Sequence, residues 1–167
     1  LTLADTNQIT ANTMIFGNNT TPAPSGTLKL GQTNVFNSDT IIIGAARHGV
    51  TADFRSGLTG TPTFKIRGTG GTDTDRADLV IGVNDNEFGA NNGGSSVTSN
   101  TLDLTGGSAD FLLNELLLGV GGSIASNTLG AHNGTLTFEA GVITANAVTL
   151  GRVYDATSGD FNKGDRN

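Results

Sequence analysis

The densest gathering of groups that could do chemistry in this chain lies in one short stretch: Lys65, Arg67, Asp73, Asp75, Arg76 and Asp78. Acidic and basic side chains set together on one outward face would suit polysaccharide cleavage, which makes this stretch the candidate catalytic centre. A plainer reading competes with it. Lys29, Lys65 and Asp103 fall at the same outward position of successive repeats, and strands in register lie about 4.8 Å apart. Lys65 and Asp103 are therefore expected to pair, an exposed contact that contributes only about 0.2–1 kcal/mol. That reading is preferred, and no catalytic residue is assigned.

Asp73, Asp75 and Asp78, or Asp155, Asp160 and Asp165, offer hard oxygen ligands of the kind Ca²⁺ takes. Neither run follows the Gly-Gly-x-Gly-x-Asp nonapeptide or an EF-hand loop. Both read as solvated acidic turns, so Ca²⁺ is the one cofactor considered and no metal-binding or cofactor-binding residue is assigned. His48 and His132 lie in loops of different repeats, and neither has a carboxylate and a nucleophile at the spacing of a Ser-His-Asp triad. The absence of cysteine removes disulfides, thiolate metal sites and thiol catalysis together. Asn18-Asn19-Thr20, Asn19-Thr20-Thr21 and Asn133-Gly134-Thr135 match a glycosylation acceptor, a frequent coincidence in a chain rich in Asn and Thr.

The elements that would position these groups are repeated. A nine-residue block recurs without a gap as ITANTMIFG (9–17), FNSDTIIIG (36–44), TDRADLVIG (74–82), FLLNELLLG (111–119) and ITANAVTLG (143–151). Such regularity is the signature of one unit stacked on copies of itself. Near the end of each block apolar residues stand two apart: Met14 and Phe16, Ile41 and Ile43, Leu79 and Ile81, Leu116 and Leu118, Val148 and Leu150. Period two is the spacing of a half-buried strand, so these pairs should point inward together. Ile9, Phe36, Thr74, Phe111 and Ile143 stand five residues earlier and mark another short inward segment.

A further element precedes each block, at Thr2-Leu3, at 27–30, at 63–66, at 101–104 and at 135–138, again alternating. In the first copy Asp5 stands where Leu30 or Ile66 would be, which leaves that copy the weakest. Three strands per turn predict a triangular coil. Asn12, Asp39, Ala77, Asn114 and Asn146 suit one corner, as a partial Asn ladder, because a short polar side chain bonds to neighbouring peptides. Gly17, Gly44, Gly82, Gly119 and Gly151 suit the next, where a positive φ is cheap only without a Cβ. Length variation is expected at that one corner alone, in 18–26, 45–62, 83–100, 120–134 and 152–167. Arg47-His48, Phe54-Arg55, residues 84–88 and Tyr154-Asp155 all fall in these excursions.

The expected fold is therefore all-β, a right-handed parallel β-helix of about five triangular three-strand rungs, with residues 1–167 forming one domain. The strand order returns every 25 to 38 residues and no Asn-Gly hairpin separates paired strands, although an antiparallel arrangement is the structural alternative. A net charge of −6 argues against nucleic acid and anionic membrane surfaces as partners. No apolar run reaches the roughly 18 residues that suggest a membrane span. With neither a signal peptide nor an initiating Met, the chain reads as a mature product or an excised segment.

The run Gly-Thr-Leu-Thr-Phe-Glu-Ala-Gly-Val-Ile-Thr-Ala-Asn-Ala-Val-Thr-Leu-Gly, residues 134–151, resembles the autotransporter-associated β-strand repeats of long secreted and surface-bound bacterial proteins. The likeness extends over all five repeats, more loosely in the first and third. It implies export, a β-helical shaft and a role as stalk, adhesin or extracellular fibre, with no family catalytic residues to carry over. The expected function is a structural module of an extracellular or cell-surface fibre. An adhesin that binds through its corner loops, and a module that binds or cleaves surface polysaccharide, are the alternatives. Both ends look uncapped, so the expected partner is the protein itself, through head-to-tail stacking or further rungs of the same chain.

Overall fold

The computed structural model describes residues 1–19, 25–46, 48–84, 98–122, 132–154 and 161–162. Alternating apolar and Thr-rich polar residues favour extended chain, and the described residues form eleven strands and no helix. They are β1 (Thr6–Thr10), β2 (Thr13–Asn19), β3 (Gly26–Leu30), β4 (Thr33–Asn37), β5 (Thr40–Ala46), β6 (Val50–Phe54), β7 (Thr63–Arg67), β8 (Ala77–Asn84), β9 (Thr98–Gly122), β10 (His132–Tyr154) and β11 (Phe161–Asn162). All join one strongly curled sheet, parallel throughout except where β11 pairs antiparallel with Val153 and Tyr154.

The pairing sorts into three ladders, each built by stacking one pass of the chain on the next. The first ladder runs from Thr2, bridged to Lys29, through β3 and β6 to the opening residues of β9 and β10. The second runs through β1, β4 and β7 to the middle of β9 and β10. The third runs through β2, β5 and β8 to their last part. β9 and β10 each cross all three ladders, and this ties the ladders into one sheet.

The predicted apolar rows form in register. Met14 pairs with Ile41, Ile41 with Leu79, Leu79 with Leu116 and Leu116 with Val148. Phe16, Ile43, Ile81, Leu118 and Leu150 follow beside them. In the middle passes Ile41, Ile43, Leu79 and Ile81 are buried, and each such side chain contributes about 1.5–3 kcal/mol by transfer. Phe16, Phe36, Phe64 and Phe111 add a column of rings with successive centroids 5.7, 4.9 and 5.2 Å apart. Each ring pair adds about 0.5–1.5 kcal/mol beyond its burial. The five block-ending glycines all adopt a positive φ between 67° and 77°.

The third pass departs from the sequence reading. Residues 63–66, expected to continue Leu28 and Leu30, instead form β7 and stack on β4 in the second ladder. The first-ladder strand is β6, within residues expected to be loop, with Val50 and Ala52 buried. Alternation alone fits either ladder. Small Ala52 and charged Asp53 weaken the signal of β6, whereas Phe64 and Ile66 strengthen that of β7. Ile66 then takes the row expected for Thr74, pairing with Phe36 and Phe111, and Thr74 is exposed in a turn.

Two further expectations are corrected. Excursions are not confined to the corner after the glycine, because residues 55–62 separate β6 from β7 and residues 68–76 separate β7 from β8. At the start of the chain the Thr2–Lys29 bridge sets Leu1 and Leu3 beside Leu28 and Leu30, so Leu3 rather than Asp5 fills the place of Leu30. Asp5 lies beyond that strand and forms an ion pair with Arg55.

Candidate functional site

The charged residues of the third pass do converge, around the corner 68–76. That corner closes on itself: Gly71 N donates to Gly68 O at 2.9 Å, Gly68 N to Asp75 O at 3.1 Å, and Asp75 N to Thr72 O at 3.2 Å. The Asp75 carboxylate accepts from Thr72 N at 3.2 Å, a local bond that closes the same corner. Asp73 is thereby carried over β7. Its Oδ1 lies 3.2 Å from Lys65 Nζ and 3.2 Å from Arg67 Nε. Hydrogen bonds from Lys65 and then Arg67 hold the Asp73 carboxyl below its ordinary value, which keeps it ionised and unsuited to donate a proton.

Arg67 is the centre of this network. It leaves β7 on the same side as Lys65, yet Asp73 and Asp110 enclose it and it is buried. Its Nη2 meets both carboxylate oxygens of Asp110, and its Nη1 donates to the carbonyls of Ile66 and Asp110, each at 2.8 Å. Arg76 Nη1 donates to Leu113 O at 2.7 Å. Asp78 accepts from Asn114 Nδ2 and Glu115 N, both at 3.1 Å. Arg67, Arg76 and Asp78 therefore tie this pass to the next, while Lys65, Asp73 and Asp75 hold the corner to its own pass.

Lys65 does not pair with Asp103. Register sets Lys29 beside Asp53 and Asp53 beside Asp103, and Lys29 Nζ lies 2.7 Å from Asp53 Oδ2. Asp103 is turned to Thr105, whose side chain and backbone N–H hold its carboxyl below the ordinary value. The three acidic residues considered for Ca²⁺ in this corner also diverge, Asp73 to two cations, Asp75 to Thr72 and Asp78 to the next pass. Among the described residues no group of three or more His, Asp or Glu is placed to hold a metal.

The expected corner ladder exists in part. Asn146 Nδ2 lies 3.4 Å from Asn114 Oδ1, and Asn114 reaches Asp78 rather than Ala77, because the register shifts by a residue between Ala77 and Asp78. Asp39 bonds to Thr69 instead, through its hydroxyl and its N–H. These bonds lower the Asp39 carboxyl from its ordinary value.

His48 packs across Gly17 and Gly26, and its Nε2 is buried with no hydrogen-bond partner among the described residues. It lines a cleft of about 260 Å³ at the open edge of the first pass, with Leu1, Phe16, Leu28 and Val50 as the apolar walls. His132 lies on β10, at the far end of the stack. Arg47, residues 85–88, Asp155, Asp160, Asp165, Thr20 and Thr21 lie outside the described residues. Asn133 is exposed on β10.

Two sets of residues escaped the sequence reading. Asn34 is buried at the inward phase of β4: its Oδ1 accepts from Gly31 N and Asn7 Nδ2, and its Nδ2 donates to Gly31 O and Thr63 O. Asn100 similarly accepts from Val50 N at 2.9 Å. The signal for the first was available, since Asn7 and Asn34 each stand two residues before Ile9 and Phe36. The second set is a separate buried cluster of Ile42, Ala45, Val80, Val83, Leu117 and Val120, on the side of the third ladder opposite the Ile41 row. Ile15, Ile42, Val80 and Leu117 share the seventh position of the block, and their apolar character was its trace.

The class these features define is an all-β protein of parallel passes, with corners braced by ion pairs and buried amides. No family model, curated protein or solved structure matches the chain.

Proposed function

We propose that this chain is a structural module of an extracellular bacterial fibre or cell-surface stalk, a right-handed parallel β-helix of about five triangular coils in one domain, joined to its neighbours end to end. The handedness follows the strong preference of parallel crossovers. One observation carries the reading. The apolar rows that are buried in the middle passes run on to the last one and emerge there, with Val148 58% and Leu150 70% exposed in the rows where Leu79 and Ile81 are 0% exposed. A stack whose core rows reach its end surface is built to be continued, because each further pass buries the row below it.

The likeness of residues 134–151 to autotransporter-associated β-strand repeats supports a surface or secreted setting. The polysaccharide-cleaving alternative gains little from the charged corner, where Asp73 is paired with two cations and Asp75 closes its own turn. Electron microscopy of the native material tests the proposal. Unbranched filaments or rods about one coil wide are expected, and a monodisperse compact particle would overturn it.

A further inference from the structure

Resting on that reading, we infer that the partner at the end surface is a second copy of this same chain, joined head to tail in the register of the internal passes. The two ends carry matching sequences. Ile9-Thr10-Ala11-Asn12 in the first pass and Ile143-Thr144-Ala145-Asn146 in the last are identical tetrads, and both isoleucines lie in one row, Ile9 through Phe36, Ile66 and Phe111 to Ile143. Continuing that row by one step sets Ile9 of one copy on Ile143 of the next. The same step brings Leu150 against Phe16, which walls the cleft of about 260 Å³. A cavity on the order of 150 Å³ already accepts a benzene-sized apolar group, so the cleft has room for a leucine side chain.

The edges are also undefended. Protein edges are normally blunted by charge, proline or a covering segment. Residues 6–19 contain no charged residue and no proline. On β10, Glu139 is turned back to Gly106 N at 2.8 Å, and the free edge is met among the described residues only by β11, at Val153 and Tyr154. The outward residues that the join would set side by side are uncharged: Thr137 with Thr2, Val142 with Gln8, Thr144 with Thr10 and Ala147 with Thr13. Among the described residues the one like-charged meeting is at a corner, where Glu139 falls beside Ala4 and Asp5, and both carboxylates are already engaged, Glu139 by Gly106 N and Asp5 by Arg55. Joining unlike ends by one repeated operation gives an open filament with a single polarity.

Cysteine trapping tests the register, since the chain has no thiol of its own. Strand neighbours lie within the Cα separation that a disulfide spans, so oxidised Thr10→Cys/Thr144→Cys protein should give a ladder of dimers and higher steps that collapses on reduction. The Thr10→Cys/Thr137→Cys control, whose thiols fall in different ladders, should give none. Leu150→Asp should lose the assembly while its monomer melts as the parent does, because that side chain is exposed in the single chain. Filaments without the matched cross-link, or equal cross-linking in the control, would overturn the join and leave the structural role standing. A purified chain that stays monomeric at high concentration while native filaments persist would likewise overturn it.

Discussion

Arg67 holds the Asp110 carboxylate through one nitrogen, Nη2 lying 2.8 Å from one oxygen and 2.9 Å from the other, and so joins β7 to the next pass. The Arg67 side chain is 7% exposed, that of Asp110 57%. The pair is thus half in water, and its guanidinium end is the expensive one to leave unsatisfied. Lysine offers a point charge without the planar fork. Arg67→Lys should lower stability by about 1–3 kcal/mol, the range for hydrogen bonds to charged groups discounted for solvent, with urea melts as the measure. Asp110→Asn should cost less, because the amide oxygen can still accept from Nη2 and the bonds of the guanidinium to the Asp110 carbonyl and to Asp73 remain.

The two apolar rows offer an internal control. Leu116 is buried and Leu150, a neighbour in the adjacent row on the last pass, is exposed. Leu116→Ala should cost about 2–5 kcal/mol, whereas Leu150→Ala in the monomer should stay within about 0.5 kcal/mol. Leu116→Asp should prevent folding, since it buries a carboxylate without a partner. A Leu116→Asp protein that melts with the parent would refute the inward row.

Gly44 and Gly57 separate backbone strain from crowding. Both have a positive φ, 77° and 80°, but a Cβ on Gly44 would collide with Asn100 Oδ1, whereas one on Gly57 would meet nothing within 4 Å. Gly57→Ala should cost about 1–2 kcal/mol for the left-handed backbone alone. Gly44→Ala should cost more, because Asn100 must give up its bond to Val50 N. Equal losses in thermal melts would count against the close packing at this corner.

Asp39, Asp73 and Asp103 all have carboxyls lowered from the ordinary value of 3.8. A folded value below the unfolded one means that folding favours the ionised form. Their contribution is therefore complete above the unfolded value and is lost as pH falls through the lower folded values. Urea midpoints measured from neutral pH down to about pH 2 should fall in that acid window. Asp73→Asn should show a shallower fall than the parent, while an unchanged slope would show that Lys65 and Arg67 do not hold the carboxylate.

What the residues determined by themselves was the repeat and its inward phase. The five blocks, the paired apolar positions and the corner glycines each follow from local chemistry: alternation, branched side chains and the φ that only glycine takes cheaply. The register of Met14, Ile41, Leu79, Leu116 and Val148 could be read from spacing because each block contains one such pair at one fixed place. The third pass could not be read this way. Residues 50–54 and 63–67 both alternate, and which one pairs with β3 depends on contacts with strands of other passes, which no local pattern encodes. The partners of the charged residues followed from that choice. Once β6 took the first ladder, Asp53 rather than Lys65 stood beside Lys29, and Lys65 and Arg67 came under a corner that only folding could close over them. Sequence fixes which side of a strand a residue faces, because that is set by the next residue along. The tertiary structure decides what it faces, because that is set by residues dozens of positions away.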